Sequence, residues 1–203
     1  EGLAATRRLG LPVVFAPSDV LDAHADAPQR HAVQALPHYD IPEERHFYPP
    51  RPPYAGTGGC ECGPDRPCAK SSAWSSQNAN IVIEPGDWIV DCNNNQELWN
   101  LCTAHGISTL LYMGVATNMC IIGRSCGIRP MTQLGLGCIL VRDLSAAITG
   151  NGYDPDSEQF DPTFTPAEGS RRVLHHLEQH YCPSFDRQQL LDAAARCPEP
   201  KIK

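Results

Sequence analysis

The chain has 203 residues, a length that fits one domain with a substantial hydrophobic core. Its formal net charge is −7, and it contains no basic tract, so nucleic acid and anionic membrane surfaces are not expected as partners. No run of residues approaches the roughly 18 to 20 consecutive apolar positions that a membrane-spanning helix needs.

The first predicted strand ends at a place where a ligand site can form. The chain begins with the end of a helix stopped by Gly10, and Pro12–Ala16 is predicted to be a buried strand. Ser18 and Asp19 follow this strand, and ligands of open parallel sheets collect outside the carboxyl ends of strands. Both residues are therefore candidates for a substrate pocket. The alternative, which capping preference favours, is that one of them caps a short helix through Leu21.

A long insertion rich in proline and glycine occupies residues 37 to 79. Loops of this length are commonly lids or oligomer contacts, and surface disorder is the alternative interpretation. The aromatic residues that favour a lid or a contact over disorder are Phe47, Tyr48, Tyr54 and Trp74.

The insertion also carries three of the ten cysteines of the chain, in the segment GGCECGPDRPC. These are Cys60, Cys62 and Cys68. Three thiols at such short spacing can bind zinc if a fourth ligand comes from elsewhere, which makes them weak candidates for a metal site. Neighbouring disulfides are an equal alternative, although Cys60 and Cys62 are too close in sequence to bridge each other easily.

A strand, a turn and a helix are predicted in the centre of the chain. A helix from Asn95 to about His105 ends at Gly106, after the strand-like run Trp88–Val90. The apolar run Thr109–Val115 then predicts a buried parallel strand.

Cys120 stands where the next helix can begin. Helical spacing at Met119, Ile122 and Cys126 precedes a second predicted strand, Cys138–Val141. A thiol at a helix start faces unpaired backbone N–H groups, which favour the thiolate and can hold an oxyanion during acyl transfer. Cys120 is thus a candidate nucleophile, and the alternative is that it is a small buried hydrophobic residue.

The carboxyl-terminal part is predicted to continue the alternation of helices and strands. Thr165, Pro166 and Glu168 have the residue types of a capped helix start. A strand-like segment at Tyr181–Pro183 is predicted to close the sheet, and Arg187–Arg196 to form an amphipathic helix.

The segment GVATNMC, with its downstream helix and the strand ending at Asp143, resembles the signature of the isochorismatase-like cysteine hydrolases, which include nicotinamidase and N-carbamoylsarcosine amidase. The resemblance runs from about Leu9 to about Pro183 and is strongest at Gly114–Cys120. It implies a three-layer α/β/α fold, in which helices flank a doubly wound, mostly parallel, Rossmann-like sheet. It further implies a single hydrolase domain over residues 1–203 that carries the insertion.

The resemblance also implies a chemistry. In that family a cysteine attacks an amide-type carbonyl, an aspartate acts as base and a lysine completes the triad. Cys120 would accordingly cleave a C–N bond of a small-molecule substrate through a thioester-type intermediate, with the backbone N–H groups of Ala116 and Cys120 as oxyanion hole. Asn118 in the same turn is a further pocket candidate, and a non-proline cis peptide is expected at Val115-Ala116. No cofactor is required, and zinc in the insertion is the one candidate.

Two members of that triad have no counterpart in the chain. The strand that carries the aspartate would lie upstream of Glu1, so we expect the sequence to be incomplete at its start and the sheet to lack its first strand. The lysine is expected near Cys92, where no lysine stands, and the nearest in sequence is Lys70. We favour a divergent hydrolase because the nucleophile turn is retained. A pseudoenzyme or small-molecule-binding protein of the same fold is the alternative.

A third interpretation is a zinc-stabilised interaction module centred on the cysteines of the insertion. Members of the family often form dimers or tetramers, so a homo-oligomer is expected. A cytoplasmic location is also expected, and a signal peptide is left open because the natural amino terminus is not visible.

Overall fold

The computed structural model of the chain describes residues 1–52, 77–149, 153–154, 159–160 and 165–197. The predictions about Tyr54, Trp74 and the cysteines of the insertion fall outside these ranges and stay predictions.

Helices and strands alternate along the described residues. The helices are α1 (Gly2–Arg8), α2 (Pro28–Gln34), α3 (Asn95–Ala104), α4 (Cys120–Gly123), α5 (Ile128–Gln133), α6 (Pro166–His180) and α7 (Arg187–Arg196), with a 3-10 helix at Leu21–His24. The strands are β1 (Val14–Phe15), β2 (Trp88–Ile89), β3 (Thr109–Val115), β4 (Gly137–Ala146), β5 (Tyr153–Asp154), β6 (Gln159–Phe160) and β7 (Ser184–Phe185).

Five of the strands form two parallel sheets. Strand β1 pairs with β2, and β3, β4 and β7 form a second sheet in that order. Strands β5 and β6 form a separate antiparallel pair. Because parallel neighbours need a crossover connection, helices lie between consecutive strands of the parallel sheets. The predicted α/β class with parallel strands flanked by helices is confirmed.

Two hydrophobic clusters lie around the sheet that contains β4. The larger one joins α3, α5 and α6 to β4 through Leu101, Met131, Leu140 and Leu177, all of which are almost fully buried. A smaller cluster joins α1 to α7 through Ala5 and Leu190, and α7 also packs on β4. Helices therefore cover β4 from two sides, as three layers require.

The bounds of β3 agree with the sequence prediction, but its predicted burial is wrong. Thr109 and Val115 are exposed and the residues between them are half-buried, whereas Leu140 and Val141 of β4 are at most 1% exposed. Among the described residues β3 pairs only with β4, while β4 pairs on both sides. A strand with one neighbour keeps more of its surface in contact with solvent.

Residues 37–52 lie along the helices rather than in a sheet. Trp99 of α3 donates its ring N–H to the Asp40 carbonyl at 3.0 Å, and Arg45 N donates to the Gln133 carbonyl at 2.7 Å. Phe47 makes an edge-to-face contact with Tyr181, with ring centroids 6.0 Å apart. These contacts place this part of the insertion on α3, α5 and the end of α6.

Both carboxyl-terminal helices begin at the predicted residues. The Thr165 side chain accepts from Glu168 N at 3.2 Å, and Pro166 is the first residue of α6. Asp186 and Gln189 form a capping box at the start of α7. The sequence predicts the last strand at Tyr181–Pro183, and β7 instead begins at Ser184, directly after that segment.

Candidate active site

The turn that joins β3 to α4 is fixed by backbone hydrogen bonds at both ends. Thr117 N donates to the Ala146 carbonyl at 2.9 Å, which attaches the turn to the end of β4. Ile121 N donates to the Ala116 carbonyl at 3.1 Å, which closes the turn onto α4. The peptide bond Val115-Ala116 is cis, as the resemblance implies.

Cys120 is the first residue of α4 and is partly exposed to solvent. Within the described part of the chain, its backbone N–H and that of Ala116 donate to no acceptor. Ala116 is 4% exposed, so its N–H group is largely shielded from bulk water. Such N–H groups are available to an oxygen atom of a ligand.

Ser18 connects Cys120 to a second thiol. The Ser18 hydroxyl donates to Cys120 Sγ at 3.8 Å, and Cys92 Sγ donates to Ser18 Oγ at 3.9 Å. The prediction that Ser18 or Asp19 caps a short helix is wrong. The 3-10 helix at Leu21–His24 begins after Val20 and has no side-chain cap. The Ser18 hydroxyl contacts the two thiols, and the Asp19 carboxylate pairs with Arg124.

Cys92 lies in the core behind Ser18. It is 2% exposed, and burial raises its pKa, which the Ser18 hydrogen bond and the Arg124 charge partly offset. Asp91 and Asp19 add to the increase through their negative charges. Cys92 is thus maintained as a neutral thiol at physiological pH.

Arg124 is the site residue that sequence analysis missed. It follows Cys120 by one helical turn, and its backbone N–H donates to the Cys120 carbonyl at 3.2 Å. One guanidinium nitrogen donates to Asn93 Oδ1 at 2.7 Å, and another lies 3.4 Å from Asp19 Oδ2. A hydrogen bond with Cys120 is the largest cause of a raised Arg124 pKa. The sequence signal was the i, i+4 spacing of a cysteine and an arginine across one helical turn.

Asp19 lies beside Arg124, the residue one helical turn after Cys120. Its φ of 61° places it in the left-handed region, which aspartate adopts more readily than most residues. Its carboxylate is partly exposed and forms an ion pair with Arg124.

Asn118 bridges the turn to the segment after β4. Its side chain donates to the Ile148 carbonyl at 2.8 Å and accepts from Ile148 N at 3.0 Å. Both ends of its amide are therefore engaged by the backbone. Three large apolar side chains near these residues are exposed, namely Val115, Met119 and Ile148.

No lysine of the chain lies within the described residues. The three lysines are Lys70, Lys201 and Lys203. In the described part of the site, the fixed positive charge beside Cys120 belongs to Arg124. It comes from the residue that ends α4 rather than from the strand end at Cys92, where the resemblance places a lysine.

The described residues contain no group of three or more His, Cys, Asp or Glu side chains arranged to hold a metal ion. The three cysteines in which zinc binding is predicted lie outside the described ranges. In the same part of the chain, every helix is too short or too polar to cross a membrane.

Comparison with known proteins finds likeness among solved structures. No family model matches the chain, and no curated protein sequence matches it. Among solved structures, the chain is similar to an isochorismatase-like hydrolase from Alkaliphilus metalliredigens, with a TM-score of 0.44 and 17% sequence identity. The match covers 63% of this chain and 62% of that chain, so it spans less than two thirds of the length of that protein.

Proposed function

We propose that the protein is a cysteine hydrolase of the amidase type. Cys120 attacks the carbonyl carbon of a small amide-type substrate, the C–N bond breaks, and an amine leaves. Water then cleaves the thioester and releases a carboxylic acid, so that one amide and one water give one acid and one amine. The proposal agrees with the resemblance of the segment GVATNMC to the nucleophile turn of isochorismatase-like hydrolases.

One observation carries this proposal: a partly exposed thiol lies at a turn where two backbone N–H groups have no acceptor among the described residues. The thiol belongs to Cys120, and the N–H groups to Ala116 and Cys120. Donors that are held in place and shielded from water stabilise the oxyanion of a tetrahedral intermediate, and losing one such donor typically reduces kcat by about 100-fold or more. A cysteine that only fills space in the core needs neither feature.

Acyl transfer to Cys120 tests the proposal. We would incubate the protein with 4-nitrophenyl acetate and map acetylated cysteines by peptide mass spectrometry, and then measure ammonia release from a panel of small primary amides. We expect acetylation at Cys120 and ammonia release that the Cys120→Ser variant lacks.

Cys197 provides the matched control. It is a partly exposed thiol at the end of α7, so Cys197→Ser changes the same chemical group away from the site and should retain activity. Acetylation of Cys120 no faster than that of Cys197, together with no ammonia release, would instead support the binding-protein alternative.

A further inference from the structure

We propose that Arg124 is a catalytic residue that stabilises the Cys120 thiolate from within the same helical turn. The inference rests on the proposed role of Cys120 as nucleophile and adds the group that makes the thiol reactive. It also explains how a site can work without a lysine at the strand end that carries Cys92.

The backbone sets the pairing of the two side chains. Residues four apart on a helix lie on the same face, about 5 to 6 Å apart at Cβ. Cys120 and Arg124 have this spacing, and the hydrogen bond from Arg124 N to the Cys120 carbonyl closes the turn between them at 3.2 Å. The Arg124 side chain therefore leaves the backbone on the Cys120 side of α4, at the residue where that helix ends.

Two neighbours hold the guanidinium in place. Asn93 accepts from one terminal nitrogen at 2.7 Å, and Asp19 faces the other at 3.4 Å. Asp19 follows Ser18 in sequence, and the Ser18 hydroxyl is itself 3.8 Å from Cys120 Sγ. Three separate chain segments thus enclose one cationic group and one thiol.

The charges of this site have opposing effects on its buried thiol, Cys92. Burial is the largest cause of the raised Cys92 pKa, the Arg124 cation lowers that pKa, and the carboxylates of Asp91 and Asp19 raise it. The ion pair with Asp19 neutralises that carboxylate in part, and the Arg124 side chain is only 31% exposed. An opposite charge within about 4 to 6 Å typically favours the charged form by a factor of about ten or more.

The Ser18 hydroxyl complements this charge. It is neutral and donates to Cys120 Sγ, so it can stabilise the anion without a proton transfer. Its other contact is the buried thiol of Cys92, which carries no competing charge. Arg124 supplies the cation of this site: its backbone N–H binds the Cys120 carbonyl, and a hydrogen bond with Cys120 is the largest cause of its raised pKa.

The test compares alkylation of Cys120 by a neutral and an anionic reagent. In the full chain, iodoacetamide and iodoacetate are reacted with wild type and Arg124→Gln across pH 5.5 to about 9, and labelling is followed peptide by peptide with Cys197 as the reference thiol. We expect Arg124→Gln to slow iodoacetamide labelling of Cys120 at pH 6.5 by about tenfold or more and to move the rise of the rate to higher pH. Arg124→Lys should recover much of the rate.

Arg129→Gln is the control for loss of a positive charge. Arg129 lies on α5, where its charge acts on the Tyr181 hydroxyl, so its removal should leave Cys120 labelling unchanged. A second variant, Asn93→Ala, frees the guanidinium without removing it and should reduce the rate less than Arg124→Gln. Thermal unfolding of each variant identifies any loss of fold.

Two outcomes overturn the inference. If Arg124→Gln slows only the anionic reagent, Arg124 attracts anions and does not activate the thiol. If neither reagent is slowed, Arg124 has only a structural role. In both cases acetylation of Cys120 can persist, so the proposed hydrolase function would stand while the role of Arg124 fails. Absence of Cys120 acetylation in wild type would instead refute the proposed function itself.

Discussion

Arg30 and Glu97 form a bidentate ion pair that fixes the backbone leading to Cys92. The guanidinium nitrogens of Arg30 lie 2.5 and 2.7 Å from the two carboxylate oxygens of Glu97. The same carboxylate accepts from Asp91 N at 2.8 Å, and Arg30 donates to the Ile89 carbonyl at 3.3 Å. One ion pair therefore joins α2 and α3 to the end of β2, where the inner wall of the candidate site begins.

We predict that Arg30→Ala destabilises the fold by about 3 kcal/mol, because it leaves the carboxylate of Glu97 without its cation in a largely buried place. The side chains of Arg30 and Glu97 are 8% and 16% exposed. Urea unfolding followed by circular dichroism gives the free energy difference.

Arg187→Ala serves as the exposed counterpart. Arg187 pairs with Glu1 at 3.1 Å, and their side chains are 45% and 69% exposed. Its loss should cost less than about 1 kcal/mol. Equal effects of the two variants would show that the Arg30 pair is no more important than a surface contact.

The elements that sequence analysis placed well are those fixed by local chemistry. The bounds of β3 follow from an uninterrupted apolar run, and α6 begins where Thr165 and Pro166 require it. The cap at Asp186 and the amphipathic pattern after it fix α7 in the same way. Each signal lies within a few consecutive residues, so no knowledge of distant contacts is needed.

The misplaced features depend on contacts between distant segments. The prediction ends the second strand at Val141, but β4 continues to Ala146 because Ser145 and Ala146 pair with the end of β3. Arg124 was missed because its partners Asn93 and Asp19 come from other parts of the chain. Only the i, i+4 spacing to Cys120 was visible in the sequence.

A second prediction concerns the bridge between Asn118 and Ile148. In Asn118→Ala the Ile148 N–H loses its acceptor, so its amide hydrogen should exchange with solvent at least about tenfold faster, which corresponds to about 1 to 1.5 kcal/mol for a net hydrogen bond. Residue-resolved hydrogen exchange measures this directly.

Asn118→Asp separates the two hydrogen bonds of that bridge. It keeps the oxygen that accepts from Ile148 N and loses the donor to the Ile148 carbonyl. Its Ile148 amide should stay protected to a degree between wild type and Asn118→Ala. Unchanged exchange in Asn118→Ala would mean that backbone contacts alone hold this segment.

The third prediction concerns acid sensitivity at the start of α6. Hydrogen bonds from Arg171 and then Arg172 lower the pKa of Glu168 from 4.5 to about 2. A folded-state pKa below the unfolded value means that this interaction stabilises the fold above about pH 4.5 and that its contribution is lost as the pH falls toward 2.

An NMR titration of the Glu168 side-chain carboxyl checks this, and its midpoint should lie near 2, well below the ordinary glutamate value of 4.5. Arg171→Gln removes the larger cause and should move the Glu168 midpoint upward. A midpoint near 4.5 in wild type would show that solvent screens these exposed contacts.

The last prediction separates buried from accessible thiols. Burial is the largest cause of the raised pKa values of Cys102, Cys126 and Cys182, which lie at about 11, 12 and 12. Very little thiolate of any of the three exists at pH 8, and access of reagent is blocked as well. Under native conditions iodoacetamide should therefore label Cys120 and Cys197, which are partly exposed, and leave those three unmodified.

Labelling after unfolding in urea supplies the full-reactivity reference for each peptide. Native labelling of Cys126 at a rate close to that reference would mean that the core around Cys92 opens readily, since Cys126 Sγ contacts the Cys92 carbonyl at 3.5 Å.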